Sequence, residues 1–276
     1  MSPARRLIVN ADDFGRSHPI NEAVIRAHRE GILTTASLMV NEPGFEEAVA
    51  RANENPRLGV GLHLTLICGQ AACLPGEIPG LVDNQRRFSN QPVGVGFRYF
   101  FLPSLRAQLA REINAQFDKF HATGLKLDHV NGHLHLHLHP VVFGILTGPA
   151  PDFGITHMRL TRDLFWLNAR LTGGQWFYRI AHAIIHGLLA AWARPKLRRR
   201  NVRHTGAVFG LLQNARVTED FIANLIPSLP AGDSELYCHP ALDQSRHELE
   251  LDALVSPRVR NQIGRFGIEL IRYQDL

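Results

Sequence analysis

The stretch His129-Val130-Asn131-Gly132-His133-Leu134-His135-Leu136-His137-Leu138-His139-Pro140 alternates polar and apolar residues. Side chains two residues apart point to the same face of a β-strand. The alternation therefore predicts a strand with one polar face, formed by His129, Asn131, His133, His135 and His137. Imidazole is a common metal ligand and acts as a general acid or base near neutral pH. This face is a candidate metal or catalytic site, and the alternatives are a histidine-rich surface strand or an adventitious metal site.

Predicted strands and helices alternate on both sides of this stretch. The other predicted strands cover residues 7–11, 34–40, 58–66, 156–160 and 234–238. The predicted helices cover residues 21–30, 46–53, 104–122, 141–146 and 218–226. Such alternation is typical of parallel βα units. We therefore predict a single α/β barrel-like domain over residues 1–276, with insertions near 67–103 and 163–200.

The composition favours a globular protein of the cytoplasm. The chain has 276 residues, 45% of them hydrophobic, and a net charge of +5. Its three cysteines cannot all pair, which favours a reducing compartment. We find neither a signal-peptide core nor the roughly 20 consecutive apolar residues that a membrane-spanning helix needs. We expect no nucleic-acid partner, and the sequence leaves the oligomeric state open.

Chemically reactive residues lie at or near the ends of several predicted strands, where barrel enzymes carry their functional groups. These residues are Asp12 and Asp13, His63, His133, Arg159 and His239. One carboxylate and two imidazoles make a three-ligand metal site with open positions, as in hydrolytic enzymes. A second carboxylate can then act as a base and a remote histidine as an acid. We expect Arg159 to orient Asp12 and keep it ionised.

Four motifs resemble the YdjC-like carbohydrate deacetylases, over about residues 7–270. They are Asn10-Ala11-Asp12-Asp13-Phe14-Gly15, Gly61-Leu62-His63, His133-x-His135-x-His137 and Tyr237-Cys238-His239-Pro240. The resemblance implies a YdjC/polysaccharide-deacetylase type of barrel that removes acetate from an N-acetylglucosamine group. It implies one divalent metal ion on Asp13, His63 and His133, with Asp12 as base and His239 as acid. Zn²⁺ or Mg²⁺ is expected, and Ni²⁺ or Co²⁺ also suits these ligands.

Other stretches bear on the substrate. The chito-oligosaccharide enzymes of the family have Asp-Ser where this chain has Asn131-Gly132. Three segments resemble the hopanoid biosynthesis-associated branch: Phe100-Phe101-Leu102-Pro103, Leu127-Asp128-His129-Val130-Asn131, and Val208-Phe209-Gly210-Leu211 after a basic tract. That branch implies an N-acetylglucosaminyl hopanoid lipid as substrate. The alternatives are soluble chito-oligosaccharides, or a non-catalytic glycolipid-binding protein on the same scaffold.

Residues 176–200 suggest how a lipid substrate is reached. Ile180, Ile184, Leu188 and Trp192 recur at a spacing of four, and a basic tract follows them. An apolar helical face with a basic end is typical of helices that lie on anionic membranes. We therefore predict peripheral contact with the inner face of the membrane; the alternative is a helix packed in the core. We also predict that Phe97, Tyr99, Phe100 and Phe101 form the wall of a lipid-accepting groove opposite residues 176–200.

Overall fold

A parallel β-sheet forms the centre of the computed structural model, which describes residues 4–243 and 245–276. Residues 1–3 and 244 belong to the predicted domain but lie outside the described residues. The strands are β1 (Arg5–Phe14), β2 (Thr35–Leu38), β3 (Gly59–Leu64), β4 (Leu127–Gly132), β5 (Ala207–Phe209), β6 (Gly232–Cys238) and β7 (Glu269–Leu270). Their order is β4-β3-β2-β1-β6-β5, and the short β7 pairs with the start of β1.

An extended segment, residues 157–162, joins the two edges of this sheet. On one edge the amide of Val130 donates to the carbonyl of His157, and the amide of Arg159 donates to that of Val130, both at 3.0 Å. On the other edge the amide of Val208 donates to the carbonyl of Arg162 at 2.9 Å. The sheet therefore curls into a barrel-like α/β fold, as predicted. The strand predicted at 156–160 is present only as this segment, with isolated bridges at His157 and Met158.

Helices surround the sheet and cover its central strands. They are α1 (His18–Glu30), α2 (Phe45–Asn53), α3 (Pro92–Phe101), α4 (Arg106–Ala122), α5 (Pro140–Leu146), α6 (Phe165–Leu171), α7 (Trp176–Arg199), α8 (Glu219–Leu225), α9 (Ser245–Val255) and α10 (Pro257–Arg265). Every residue of β2 and β3 is buried. Parallel strands covered on both faces are expected to be apolar throughout.

The predicted histidine strand is wrong beyond Gly132. Gly132 pairs with Leu64, the last residue of β3, so the chain after it has no neighbouring strand to pair with. Residues 133–138 instead form 3₁₀ turns, with Leu134 and His135 in the left-handed region at φ 50° and 58°. The histidines after Gly132 therefore do not share one strand face, although both His133 and His137 are buried.

Both insertions contain helices. The first, which we predicted as a long irregular excursion, includes α3, and the second is largely α6 and α7. Tyr99 of α3 is buried and donates to the carbonyl of Leu66 at 2.9 Å, so its predicted place on an exposed groove wall is wrong. Within the described residues, no helix is both long and apolar enough to cross a membrane.

Candidate metal and catalytic site

Two adjacent carboxylates enter one cavity where β1 ends. On a regular strand, Asp12 and Asp13 would point to opposite faces. Asp13, however, has φ 65°, and the pairing of β1 with β2 is irregular between Ala11 and Phe14. This local departure from strand geometry lets both side chains line the cavity. Left-handed backbone at a non-glycine residue is uncommon and is often found at functional sites.

Asp13, His63 and His133 bring three potential metal ligands together. Asp13 Oδ1 lies 3.2 Å from His63 Nε2 and 3.0 Å from His133 Nδ1. The two imidazole nitrogens are 3.4 Å apart. All three donor atoms lie within 4.8 Å of one another, so the group could hold a metal ion. The sequence placed these residues at three separate strand ends, and the fold brings them together.

The surroundings of His63 fit a metal ligand. Its Nδ1 is 2.7 Å from Asn131 Oδ1. The Asn131 amide nitrogen donates to Asp12 Oδ1 at 3.0 Å and to Ser37 Oγ at 2.8 Å, which fixes its oxygen toward His63. The proton of His63 is therefore on Nδ1, and the lone pair of Nε2 faces Asp13 and His133. Metal-binding histidines are commonly oriented in this way. An asparagine at position 131 thus supports the site without adding a third carboxylate to Asp12 and Asp13.

Asp12 is held by Arg159 from beneath the cavity. The guanidinium makes two hydrogen bonds to this carboxylate, Nη1 to Oδ2 at 2.6 Å and Nη2 to Oδ1 at 2.9 Å. It also contacts Glu235 Oε1 at 2.7 and 2.9 Å. Burial alone would raise the pKa of Asp12, but the charge of Arg159 lowers it far below the usual range. Arg159 is fully buried and does not line the cavity, so it positions Asp12 and does not touch a ligand.

His239 enters the same cavity immediately after β6. Its side chain is 27% exposed, and its backbone amide donates to Glu250 Oε2 at 2.6 Å. Glu250 also accepts a hydrogen bond from the amide of Val217 at 2.9 Å, which ties this loop to the helical layer. The imidazole thus lines the same cavity as the three donors and is accessible to a ligand.

The cavity has a volume of about 410 Å³ and includes residues that the sequence analysis missed. Tyr178, His182 and His186 of α7 line it, together with Tyr237 and His247. The spacing of four along α7 is the signal that could have grouped the first three. His135 also lines the cavity, but its two ring nitrogens face Tyr237 Oη at 3.0 Å and Thr161 Oγ1 at 3.2 Å. His135 is therefore outside the metal-donor group.

The fold and the site define an α/β barrel with a carboxylate–histidine group that could hold a metal ion, at the carboxyl ends of its strands. The profile of the YdjC-like protein family matches residues 6–265, and the chain belongs to this family. The predicted family is thereby confirmed. A solved structure from Enterococcus faecalis V583, described as a candidate cellobiose-phosphate cleavage protein, shares the fold. Its TM-score is 0.73 at 21% identity, and the match covers 99% of this chain and 98% of that one.

Two relatives with curated names are both called carbohydrate deacetylase. The protein of Geobacillus stearothermophilus is 29% identical over 98% of both chains. That of Brevibacillus brevis is 41% identical over 54% of this chain, and the match spans 57% of its own length. The match to the Brevibacillus protein therefore covers little more than half of each chain, whereas the match to the Geobacillus protein extends over almost the whole of both.

Proposed function

We propose that this protein is a metal-dependent deacetylase that removes acetate from an N-acetylated sugar. One observation carries the proposal: Asp12 lies beside the Asp13–His63–His133 donor group, and His239 opens into the same cavity. A binding protein has no need for a matched base and acid next to a metal centre. The names of the relatives support the same class of enzyme, a hydrolase acting on amides.

The side chains divide the work of amide hydrolysis. A divalent ion on the donor group would act as a Lewis acid toward the acetamide carbonyl. Asp12 accepts a proton from the attacking water, and His239 delivers one to the departing sugar nitrogen. Arg159 keeps Asp12 ionised and fixed in place. Because the same ion pair weakens Asp12 as a base, its contribution depends mainly on its position beside the reacting atoms.

The substrate that we propose is a glycolipid, an N-acetylglucosaminyl hopanoid. The proposal of a lipid substrate is supported by exposed apolar side chains on α3 and α7, two helices that also contribute residues to the cavity lining. On α7 the side chains of Phe177, Ile184 and Leu188 are 90%, 56% and 68% exposed. On α3 those of Phe97 and Phe101 are 61% and 65% exposed. Exposed apolar surface of this kind marks a contact with a lipid or a partner.

Charge favours a lipid surface as the partner of α7. The helix ends in the exposed residues Arg194, Arg198, Arg199 and Arg200. The predicted face of Ile180, Ile184, Leu188 and Trp192 is exposed, which argues against the alternative of a core-packed helix. Basic side chains beside an apolar face attract anionic headgroups and lower the free energy of interfacial binding. We therefore propose that α7 rests on the inner face of the membrane and that the cavity receives the sugar from there.

Acetate release tests the enzymatic proposal. Purified protein, loaded in turn with Zn²⁺, Mg²⁺, Ni²⁺ or Co²⁺, is given N-acetylglucosaminyl hopanoid or chito-oligosaccharides. We expect acetate and the free amine in equal amounts, with the glycolipid preferred. Preference for chito-oligosaccharides would move the assignment to the soluble substrate. Binding of glycolipid without acetate release under any metal would favour the non-catalytic alternative.

Liposome co-sedimentation tests the membrane contact separately. Wild-type protein is expected to sediment with anionic liposomes at low salt and less at high salt, because salt screens exposed charges. Replacement of Arg198, Arg199 and Arg200 by serine should weaken the binding. The matched control is serine at Arg258, Arg260 and Arg265 of α10, which removes the same charge elsewhere on the surface. If wild-type protein ignores anionic liposomes at low salt, the proposed contact is wrong.

A further inference from the structure

The inner side of α7 carries a row of polar rings that the metal chemistry does not use. Tyr178, His182 and His186 follow at intervals of four residues and all line the cavity. The rings of Tyr178 and His182 stack with centroids 3.8 Å apart, and those of His182 and His186 are 6.0 Å apart. The outer side of the same helix is apolar and exposed. The helix thus presents one face to the cavity and another to the surroundings.

The barrel supplies a wall that adjoins this row at His186. The ring of His135 lies 5.1 Å from that of His186, edge to face. Bonds to Tyr237 and Thr161 hold His135, and its backbone has φ 58°. Backbone strain at a non-glycine residue persists where the surrounding structure fixes the residue, often at a ligand site. His135 is therefore a fixed surface against which a ligand and His186 can pack.

Polar atoms of the row remain available to a ligand. His182 Nδ1 is 2.9 Å from the carbonyl of Tyr178, which places its proton there and leaves Nε2 as an acceptor. His186 is only 9% exposed, and its Nδ1 has no hydrogen-bond partner among the described residues. A buried polar atom without a partner costs free energy that a ligand can recover. Burial lowers the pKa of His186 to about 4, so the ring is neutral at pH 7.

We propose that His182 and His186 bind the hydroxyl groups of an uncharged sugar ring and select N-acetylhexosamines over other acetamides. The inference rests on the proposed function and names the residues that recognise its sugar. A hydroxyl group both donates and accepts hydrogen bonds, as a neutral imidazole does. The two residues touch the sugar and not the reacting acetamide, so their contribution is to binding.

The test compares a sugar with an acetamide that lacks hydroxyl groups. Methyl N-acetylglucosaminide and p-nitroacetanilide are assayed with wild-type protein, His182→Leu, His186→Leu and His186→Asn. Each leucine variant should raise KM for the sugar about tenfold, the effect of one lost hydrogen bond, and change kcat little. Their kcat/KM for the anilide should stay unchanged. His186→Asn keeps a polar atom near the position of Nδ1 and should restore much of the sugar affinity.

Two controls separate a binding role from a structural one. Ile184, on the exposed apolar face of α7 and 56% exposed, is replaced by alanine and should leave both soluble substrates unaffected. Because His186 Nδ1 lacks a partner, His186→Leu should keep the wild-type melting temperature and metal content. An equal loss on sugar and anilide, or an unchanged KM for the sugar in both leucine variants, would overturn the inference.

Calorimetric titration with the same sugar distinguishes failure of this inference from failure of the proposed function. Sugar binding that is lost in the leucine variants, in a protein that releases no acetate, upholds the sugar site and overturns the deacetylase. Acetate release with an unchanged KM in the variants upholds the deacetylase and overturns the sugar site. A wild-type protein that neither binds nor cleaves the sugar overturns both.

Discussion

Arg159 and Asp12 form a fully buried ion pair with two hydrogen bonds, at 2.6 and 2.9 Å, directly beneath the cavity. The same guanidinium contacts Glu235 and packs 4.4 Å from the ring centre of Tyr237. The positive charge of Arg159 therefore balances the negative charges of two buried carboxylates, Asp12 and Glu235, beneath the cavity. The position of the proposed base depends on an interaction that substrate never touches.

Removal of this cation should be costly. Arg159→Leu leaves Asp12 and Glu235 buried without a counter-charge, and loss of one partner of a buried pair typically destabilises by about 3–5 kcal/mol. Arg159→Lys keeps the charge but not the planar fork, so its effect should be intermediate. Urea unfolding of the three proteins measures the differences. A loss below about 1 kcal/mol for the leucine variant would contradict the role of the pair.

Metal binding should depend on Asp13, His63 and His133 and not on histidines that are exposed elsewhere on the protein. His63→Ala and His133→Ala each remove one of three ligands and are expected to lose the ion. His121→Ala, an exposed histidine on α4, is the matched control and should keep it. Elemental analysis of the purified proteins gives the metal content directly. Full occupancy in both ligand variants would reject the assignment.

The orientation of His63 should matter nearly as much as its presence. Asn131→Leu removes the oxygen that accepts the proton of His63 Nδ1. Loss of such a supporting partner typically lowers metal affinity about 10- to 100-fold. Competition with a chelator of known affinity measures the change. Wild-type affinity in this variant would mean that the tautomer of His63 is set in another way.

The two groups proposed for proton transfer should affect rate without affecting the metal. Asp12→Asn and His239→Gln are expected to keep the ion and to lower kcat by ~10²-fold or more, the usual contribution of a general base or acid. Acetate release at saturating substrate measures kcat, and elemental analysis provides the control. A nearly wild-type kcat in either variant rejects the role of that residue.

Because of Asp163, the stability of the folded protein should fall as the pH rises from about 4 to about 7, whereas a normal carboxylate pair loses stability as the pH falls. Burial raises the pKa of this carboxyl to about 7, against hydrogen bonds from the Leu212 amide and the Asn168 side chain, whereas its ordinary value is 3.8. The folded chain therefore holds this proton more tightly than the unfolded chain. The resulting stabilisation is complete below about pH 4 and is lost as the pH rises to about 7.

The comparison with Asp163→Asn isolates this effect, since all other titrating groups are shared. The melting temperature of the wild type should fall relative to that of the variant between about pH 4 and pH 7, and then stay level. A difference that remains constant from pH 4 to pH 8 would show that Asp163 titrates normally.

The sequence predicted most of the sheet because strands are encoded locally, but it missed the short β5 and β7. The choice of Asp13, His63 and His133 as donors came from the resemblance to the family. An apolar run such as residues 7–9 of β1 and a Thr218-capped helix such as α8 are readable from neighbours in the chain. The path of the chain after Gly132 cannot be predicted from neighbouring residues, because it depends on where the paired strand β3 ends. The sequence placed Asp12 and Asp13 in one site, but it did not predict the left-handed backbone of Asp13 that lets both side chains line the cavity.

The cavity face of α7 was hidden for a different reason. Its polar rings at positions 178, 182 and 186 interrupt an apolar helix, and only the packing of that helix over the barrel turns them toward the cavity that holds the Asp13–His63–His133 group. The sequence identified the outer, apolar side of α7 and missed the inner one. Long-range packing, and not local propensity, decides which side of such a helix becomes functional.

The most direct measurement of the central claim is acetate release from an N-acetylglucosaminyl substrate by metal-loaded wild-type protein, beside His63→Ala and Asp12→Asn. We predict one acetate for each free amine formed by the wild type, loss of activity together with metal in His63→Ala, and loss of activity with metal retained in Asp12→Asn. No acetate from wild-type protein with any of the four divalent metals, or equal activity in all three proteins, would contradict the account.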